Sequence, residues 1–151
     1  MSILIKCKYE EEVEILLITK ETDYALRILR ALAKSNRLTT AELSTNEQIP
    51  QNFAYKILKK LQKAGFVEIA RGTGGGCALT CDLNSITLYQ LINAMEQSAF
   101  LTACTKPNHY CSWQESHDDQ VCHAHIQLLK IQKTLDQELK SHTLQAVLFG
   151  D

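Results

Sequence analysis

The chain has 151 residues, 45% of them hydrophobic, and a formal net charge of −1. That is room for one compact domain plus an extra element, with enough apolar side chains to build a core, which argues against wholesale disorder. The charge is uneven: residues 20–71 hold ten Lys/Arg against five Asp/Glu, and the remainder six against twelve. Such an asymmetry points to a nucleic-acid face in the first half, although solvated helix faces can carry a surplus of this size by chance.

Residues 1–15 read as an N-terminal extension. Lys8 to Glu14 is a charge run without an apolar face. Codons for this run can spell a purine-rich ribosome-binding sequence, and the expected translation start is then Leu16 or Leu17. N-terminal sequencing of the native protein decides this, and a chain beginning at Met1 refutes it. Cys7 lies in this segment and receives no role.

A winged helix-turn-helix is expected over residues 16–82. Ala25, Ile28, Leu29, Leu32 and Ala33 recur at helical spacing, so the pattern predicts a helix from Thr22 to Lys34, with Thr22 or Thr19 as its cap. Thr39 and Thr40 open a short helix with Ala41, Leu43 and Ile49 turned inward. Thr39 followed three residues later by Glu42 fits a capping box. Asn46 to Pro50 is a turn, and Pro50 suits the first turn of the helix that follows. That helix, Gln51 to Ala64, carries Ala54, Ile57, Leu58 and Leu61 on one face and Lys56, Lys59, Lys60 and Lys63 on the other, and Gly65 ends it. Phe66 to Ala70 is a strand, Arg71 to Gly76 a glycine-rich turn and Cys77 to Thr80 the returning strand.

A recognition helix enters the major groove with its early residues at the base edges. Here those are Gln51, Asn52 and Tyr55. The amides can pair bidentately with adenine, while Lys56, Lys59, Lys60 and Lys63 neutralise phosphates without reading sequence. At the wing tip Gly72, Thr73 and Gly74 allow close backbone approach, and Arg71 is placed to enter a narrow A/T minor groove. Four lysines alone would pass for the wet face of any helix. The turn and the glycine-rich wing reverse that reading.

Beyond the wing, residues 83–103 read as a linking segment whose helix, Ser85 to Glu96, shows Ile86, Leu88, Leu91, Ile92 and Met95. Residues 104–125 read as a polar, cysteine-rich loop. In residues 126–151, Leu128, Ile131, Leu135 and Leu139 stripe a long helix from Ile126 to Lys140 that lacks an evident intrachain partner and is expected to form a homodimer. The fold class is therefore mainly α with a small β-hairpin: a winged helix-turn-helix plus a long C-terminal dimerisation helix.

Of the six cysteines, three are spaced with a histidine in the loop: Cys104, six residues, Cys111, ten residues, Cys122, two residues, His125. No signal peptide and no run long enough to span a membrane is visible, so a reducing cytoplasm is expected. There, clustered cysteines more often bind metal or sense redox than form disulfides. Cys77 and Cys81 flank the returning strand and read as small buried or half-buried side chains. His109, His117, His123 and His142 are expected to be mostly solvated.

The run Ile18-Thr-Lys-Glu-Thr-Asp-Tyr-Ala-Leu-Arg27, the wing Arg71-Gly-Thr-Gly-Gly-Gly76 and the three-cysteine loop resemble the Rrf-two family of bacterial regulators, over nearly the whole chain. The resemblance implies a dimeric winged helix bound to double-stranded promoter DNA and controlled by an iron–sulfur cluster that responds to redox state, nitric oxide or iron supply. It carries the cluster-ligand role to Cys104, Cys111 and Cys122. His125 matches the histidine that completes the set in IscR-like members, and Asp23 matches the carboxylate that reaches over from the partner subunit in NsrR-like members. The spacing from Cys111 to Cys122 is longer than in the best-known members, and both 2Fe–2S and 4Fe–4S clusters stay open.

Other readings fit the same residues. Three cysteines and a histidine also make a closed zinc site. A cluster-free member would use the loop for protein partners or thiol redox. An electron-transfer protein would leave the winged domain unused. An enzyme with a small-molecule substrate or a dinucleotide is disfavoured, because the triple glycine sits in a hairpin and not between a strand and a helix. No membrane partner is expected.

Overall fold

A computed structural model describes residues 18–97 and 99–150. The N-terminal extension, Cys7 and the expected start at Leu16 or Leu17 lie outside the described residues. Seven helices and one hairpin are described: α1 (Lys20–Ala33), α2 (Thr40–Asn46), α3 (Gln51–Lys63), β1 (Val67–Ala70), β2 (Gly76–Leu79), α4 (Leu88–Glu96), α5 (Ser112–Ser116), α6 (His123–Ser141) and α7 (Leu144–Phe149). A short 3-10 turn covers Ala103–Thr105. Mainly helical with a two-stranded antiparallel hairpin is the architecture the sequence predicts. Among the described residues no helix is long and apolar enough to cross a membrane.

Local chemistry sets the helix ends. Thr19 caps α1, its hydroxyl accepting from the Glu21 N–H. Thr39 and Glu42 form the expected capping box of α2, and Thr87 with Gln90 forms another on α4. That second box starts α4 at Leu88, later than the expected Ser85, because Asp82 to Ser85 closes a turn of its own. Pro50 stands one place before α3, and Gly65 follows it with φ +79°. Each strand lies within one residue of its expected bounds, and the register pairs Val67 with Leu79 and Ala70 with Gly76.

The core forms where the 3.6-residue stripes of α1, α3 and α4 meet. Ile28, Leu29, Leu43, Ile57, Leu58, Leu61 and Leu91 are fully buried, with Ile49, Phe66, Val67 and Cys77 closing its edges. Two expected inward residues are corrected: Ala33 and Ala41 are exposed. The first ends α1 as the helix leaves the core, and the second lies on the far side of α2 from Leu43.

The long helix also differs from expectation. It begins at His123, so His125 lies on the helix and not in a loop. Its C-terminal half does have an intrachain partner. Leu139 and Leu135 pack with Ile92, Ala99 and Tyr89, and the chain then returns to the winged half, where the Leu144 N–H donates to the Ile86 carbonyl at 2.7 Å and the Leu144 side chain joins the main core. Ile131, expected in the same stripe, is 54% exposed, and Ile126 and Leu129, on the opposite side of the helix, are exposed as well. The stripe is therefore divided, with Leu135 and Leu139 covered by their own domain, Leu128 half-buried and Ile131 bare in the single chain.

Candidate functional site

Two regions carry the predicted site residues. The first is the outer face of the winged domain. Gln51, Asn52 and Tyr55 stand exposed on the first turns of α3 and, with Thr40 of α2, line one open cleft. Asn52 Oδ1 accepts from the Phe53 N–H at 3.0 Å, so the amide nitrogen is the end left to solvent. Lys59 Nζ lies 5.5 Å from the Tyr55 ring centroid, a cation–π distance that aligns the two along the helix.

The four lysines are not equivalent. Lys56 Nζ donates to Glu21 Oε1 at 2.6 Å. Lys60 Nζ donates to the other Glu21 oxygen and, at 2.7 Å, to the Met95 carbonyl. Lys60 thus ties α3 to the first turn of α1 and the last turn of α4. A second carboxylate continues the node: the Thr19 N–H, the Thr19 hydroxyl and the Thr22 hydroxyl all donate to Glu96 Oε1, at 3.2, 2.7 and 2.6 Å. The lysine hydrogen bonds, Lys56 first and then Lys60, hold the Glu21 carboxyl below its ordinary pKa against a smaller opposing effect of burial. Among the described residues Lys59 and Lys63 have no carboxylate partner. Lysines on a helix's polar period look alike in sequence, and only the long-range partners distinguish them.

At the wing, Arg71, Gly72, Thr73 and Gly74 are exposed at the tip. The Gly75 N–H donates to the Gly72 carbonyl at 2.9 Å. A Cβ on Gly75 would stand 2.6 Å from the Ala70 carbonyl oxygen, so only glycine closes this turn. Gly76 is equally constrained: its φ is +132°, and a Cβ there would meet the Leu38 carbonyl at 2.9 Å. The Leu38 carbonyl in turn accepts from the Cys77 N–H at 2.7 Å, which pins the hairpin to the segment before α2.

The second region is the cysteine loop. Cys104, Cys111, Cys122 and His125 line one cavity of about 210 Å³, floored by Leu128. The Thr102 hydroxyl caps the 3-10 turn by accepting from the Cys104 N–H at 3.2 Å and lies 3.0 Å from Cys104 Sγ. Cys111 precedes α5. Cys122 is the cap of α6, where its sulfur accepts from the His125 N–H at 3.4 Å, and the helix N-terminus presents its partial positive charge to that sulfur.

Gln132 anchors this loop to α6. It is 5% exposed. Its Oε1 accepts from the Leu101 N–H at 2.7 Å and the Thr105 hydroxyl at 3.3 Å. Its Nε2 donates to the Ala99 carbonyl at 2.8 Å and to Asp136 at 2.7 Å. Nothing in the sequence marks this glutamine, since a polar residue on an amphipathic helix ordinarily faces water.

Asp23 lies elsewhere. It sits on α1, paired with Arg27 at 2.8 Å, and does not line the cavity of its own chain. His109, given no role from sequence, does line it. Of the other histidines, His117 stacks on Trp113 with centroids 4.5 Å apart, and His142 meets Glu138 at 2.9 Å. Cys77 is buried and Cys81 half-buried. Burial pushes both thiols up, so these sulfurs stay protonated and structural. Among the described residues no three His, Cys, Asp or Glu side chains converge closely enough to clamp a single ion. The sulfurs stand around a cavity instead of meeting at a point.

The chain's likenesses are to one family of regulators. A family model described as Rrf2, iron-dependent transcriptional regulator, matches residues 18–149. Protein aau3 of Rhizobium meliloti is 33% identical over 89 residues, a match that spans 58% of this chain and only 58% of that protein. An Rrf2-like HTH-type transcriptional regulator of Rhodobacter capsulatus is 30% identical over 112 residues, 70% of this chain and 75% of its own length. Among solved structures, CymR, the global cysteine regulator of B. subtilis, superposes with a TM-score of 0.67 at 20% identity, covering 89% of this chain and 97% of that one. IscR of T. potens superposes with a TM-score of 0.57 at 20% identity, covering 88% and 86%. The structural likenesses carry the winged-helix fold, and the match over most of the chain carries the family. The chain belongs to the Rrf2 family of transcriptional regulators, DNA-binding proteins of winged-helix fold and not enzymes.

Proposed function

We propose that this regulator binds promoter DNA as a homodimer in the cytoplasm, under the control of an iron–sulfur cluster held by Cys104, Cys111, Cys122 and His125. The observation that carries this reading is the single cavity lined by those four side chains. Three thiols and an imidazole suit iron–sulfur ligation, and an apolar floor limits solvent access. A single zinc ion would need all four donors to converge on one point, whereas a cluster spreads them over several irons, and among the described residues they do not converge. An iron–sulfur cluster bound there supplies a redox-active centre open to chemical attack.

The rest belongs to the chain itself. Cys122 caps α6 and His125 lies on its first turn, α6 packs on α4 through Leu139 and Ile92, and the Met95 carbonyl and Glu96 of α4 hold Lys60 of α3 and Thr22 of α1. That contiguous path joins the cavity to the recognition helix. On DNA, Gln51, Asn52 and Tyr55 read bases, Lys59 and Lys63 meet phosphates, and Arg71 with Gly72, Thr73 and Gly74 approaches the minor groove. Ile126 and Leu129, three residues apart on one side of α6 and bare in the single chain, supply the dimer face.

Anaerobic purification with visible absorption and iron and sulfide analysis tests the cluster. Cys104→Ala, Cys111→Ala and Cys122→Ala should each lose the colour, because no neighbouring thiol replaces the one removed. A brown, iron-replete triple variant refutes the assignment. A salt-dependent gel shift on the protein's own promoter tests the DNA reading, and no sequence-selective shift in either the loaded or the stripped form refutes it.

A further inference from the structure

The cavity holds one more donor than the family pattern supplies. His109 lines it together with Cys104, Cys111, Cys122 and His125. Its position is built in. Residues Lys106 to His109 form a turn in which the His109 N–H donates to the Lys106 carbonyl at 3.3 Å, with Pro107 second and Asn108 third at φ +57°. Pro at the second place and a left-handed Asn at the third is the residue order a type II turn favours. The turn starts two residues after Cys104 and reverses the chain, so the imidazole comes back to the cavity that Cys104 lines. Three thiols leave one ligand position on a cluster, and two imidazoles, His109 from the turn and His125 from α6, stand at the same cavity to fill it.

We infer that His109 is a reserve ligand, an imidazole that occupies the fourth position when His125 leaves it. The inference rests on the cluster reading above. It gives the site two alternative ligand sets that share Cys104, Cys111 and Cys122, one fixed to α6 at both Cys122 and His125 and one at Cys122 alone, so a bound cluster can persist while its hold on the helix is loosened.

The test uses the full-length protein purified anaerobically in four forms: native, His125→Ala, His109→Ala, and both together. Iron and sulfide per chain are measured, and pulsed electron paramagnetic resonance of the reduced cluster is read for coupling to an imidazole nitrogen. His125→Ala should keep its cluster and still show nitrogen coupling, now from His109. The double variant should fall to the cluster content of Cys104→Ala. His109→Ala alone should keep both cluster and coupling. His109 is exposed and outside the core, so these variants fold, which circular dichroism checks. If His125→Ala loses as much cluster as the double variant, His109 is no reserve and the inference fails. If the double variant keeps full cluster content, the fourth ligand lies elsewhere, Asp23 of the partner subunit being the candidate, and the inference fails again. A native chain that takes up neither iron nor sulfide overturns the cluster reading itself and this inference with it.

Discussion

Between Thr22 and Met95 the chain buries a continuous apolar core, with Ile28, Leu29, Leu43, Ile57, Leu58, Leu61 and Leu91 removed from solvent. Between Ala99 and Ser141 the described buried side chains are Ala99, Thr105, Gln132 and Leu139, two of them polar. The winged half is shaped by non-directional apolar burial, whereas the cysteine half is shaped by directed hydrogen bonds from one glutamine and by helix and turn caps. A core of the first kind tolerates small shifts poorly and holds α3 rigidly in place. An assembly of the second kind opens locally at low cost, and elements that switch come from such regions. The same contrast separates the cysteines: Cys77 is packed inside the first half, while Cys104, Cys111 and Cys122 stand half-exposed in the second.

Cavity creation gives the largest effect. Leu58→Ala, at a fully buried position of α3 in the main core, should cost about 2–5 kcal/mol in denaturant unfolding. Leu129→Ala, at an exposed position on α6, should leave the unfolding of a dilute single chain nearly unchanged and weaken self-association in sedimentation. Equal losses of stability from the two would erase the distinction between the halves.

Gln132→Ala probes the other half. It leaves the buried Ala99 carbonyl without its partner, at about 1–3 kcal/mol, and frees the part-buried Leu101 N–H at a smaller cost. Because the loss is local, amide exchange should accelerate in residues 99–105 and not in α3, and cluster retention should fall although no ligand was touched. Protection lost evenly across both halves would show a single cooperative unit.

Asn52→Ala and Lys59→Ala sharpen the contrast on the DNA face. If Asn52 reads a base edge, its loss should relax discrimination by about 1–3 kcal/mol at one position per half-site. Lys59→Ala should weaken all sequences alike and flatten the salt slope by about one unit per lost phosphate contact. Titration against a set of single-base operator variants at two salt concentrations separates the two, and a uniform loss for Asn52→Ala removes it from base reading.

The winged half was largely legible because its information is local. Apolar residues recur every three or four positions, Thr39 with Glu42 marks a helix start, and Gly65 marks an end. The node between α1, α3 and α4 was not legible. Lys60 and the Met95 carbonyl are 35 residues apart, and nothing in either neighbourhood encodes their bond. Gln132 and His109 were missed for a related reason, since a polar residue in a polar stretch is indistinguishable from a solvated one until the fold brings its partners in. α7 was missed because six residues are too few to establish a helical period, and only the Thr143 cap and the buried Leu144 define it. Cys104, Cys111, Cys122 and His125 were grouped by resemblance and not by spacing, since ten residues of loop between Cys111 and Cys122 leave it to the fold to bring them to one cavity.

The smallest effect tests whether the lysine node belongs to the rigid half. Lys56 and Lys60 hold the Glu21 carboxyl below its ordinary value of 4.5, so the folded state binds this proton less readily than the unfolded chain does. The stabilisation from Glu21 is therefore fully present above pH 4.5 and is lost as the pH falls through the lowered folded value. Lys56 is 57% exposed, which screens its share, and the whole contribution should stay below about 1 kcal/mol. Glu21→Gln removes the dependence, so the gap in unfolding free energy between native and variant should be constant from pH 7 to 5 and close below that. Lys56→Ala should narrow the gap in part. Lys60→Ala should also release the Met95 carbonyl and so cost more than Lys56→Ala at every pH, including those where Glu21 is protonated. If the two lysine variants behave alike across the range, Lys60 is an ordinary surface charge, and the path from α4 to the recognition helix loses its polar link.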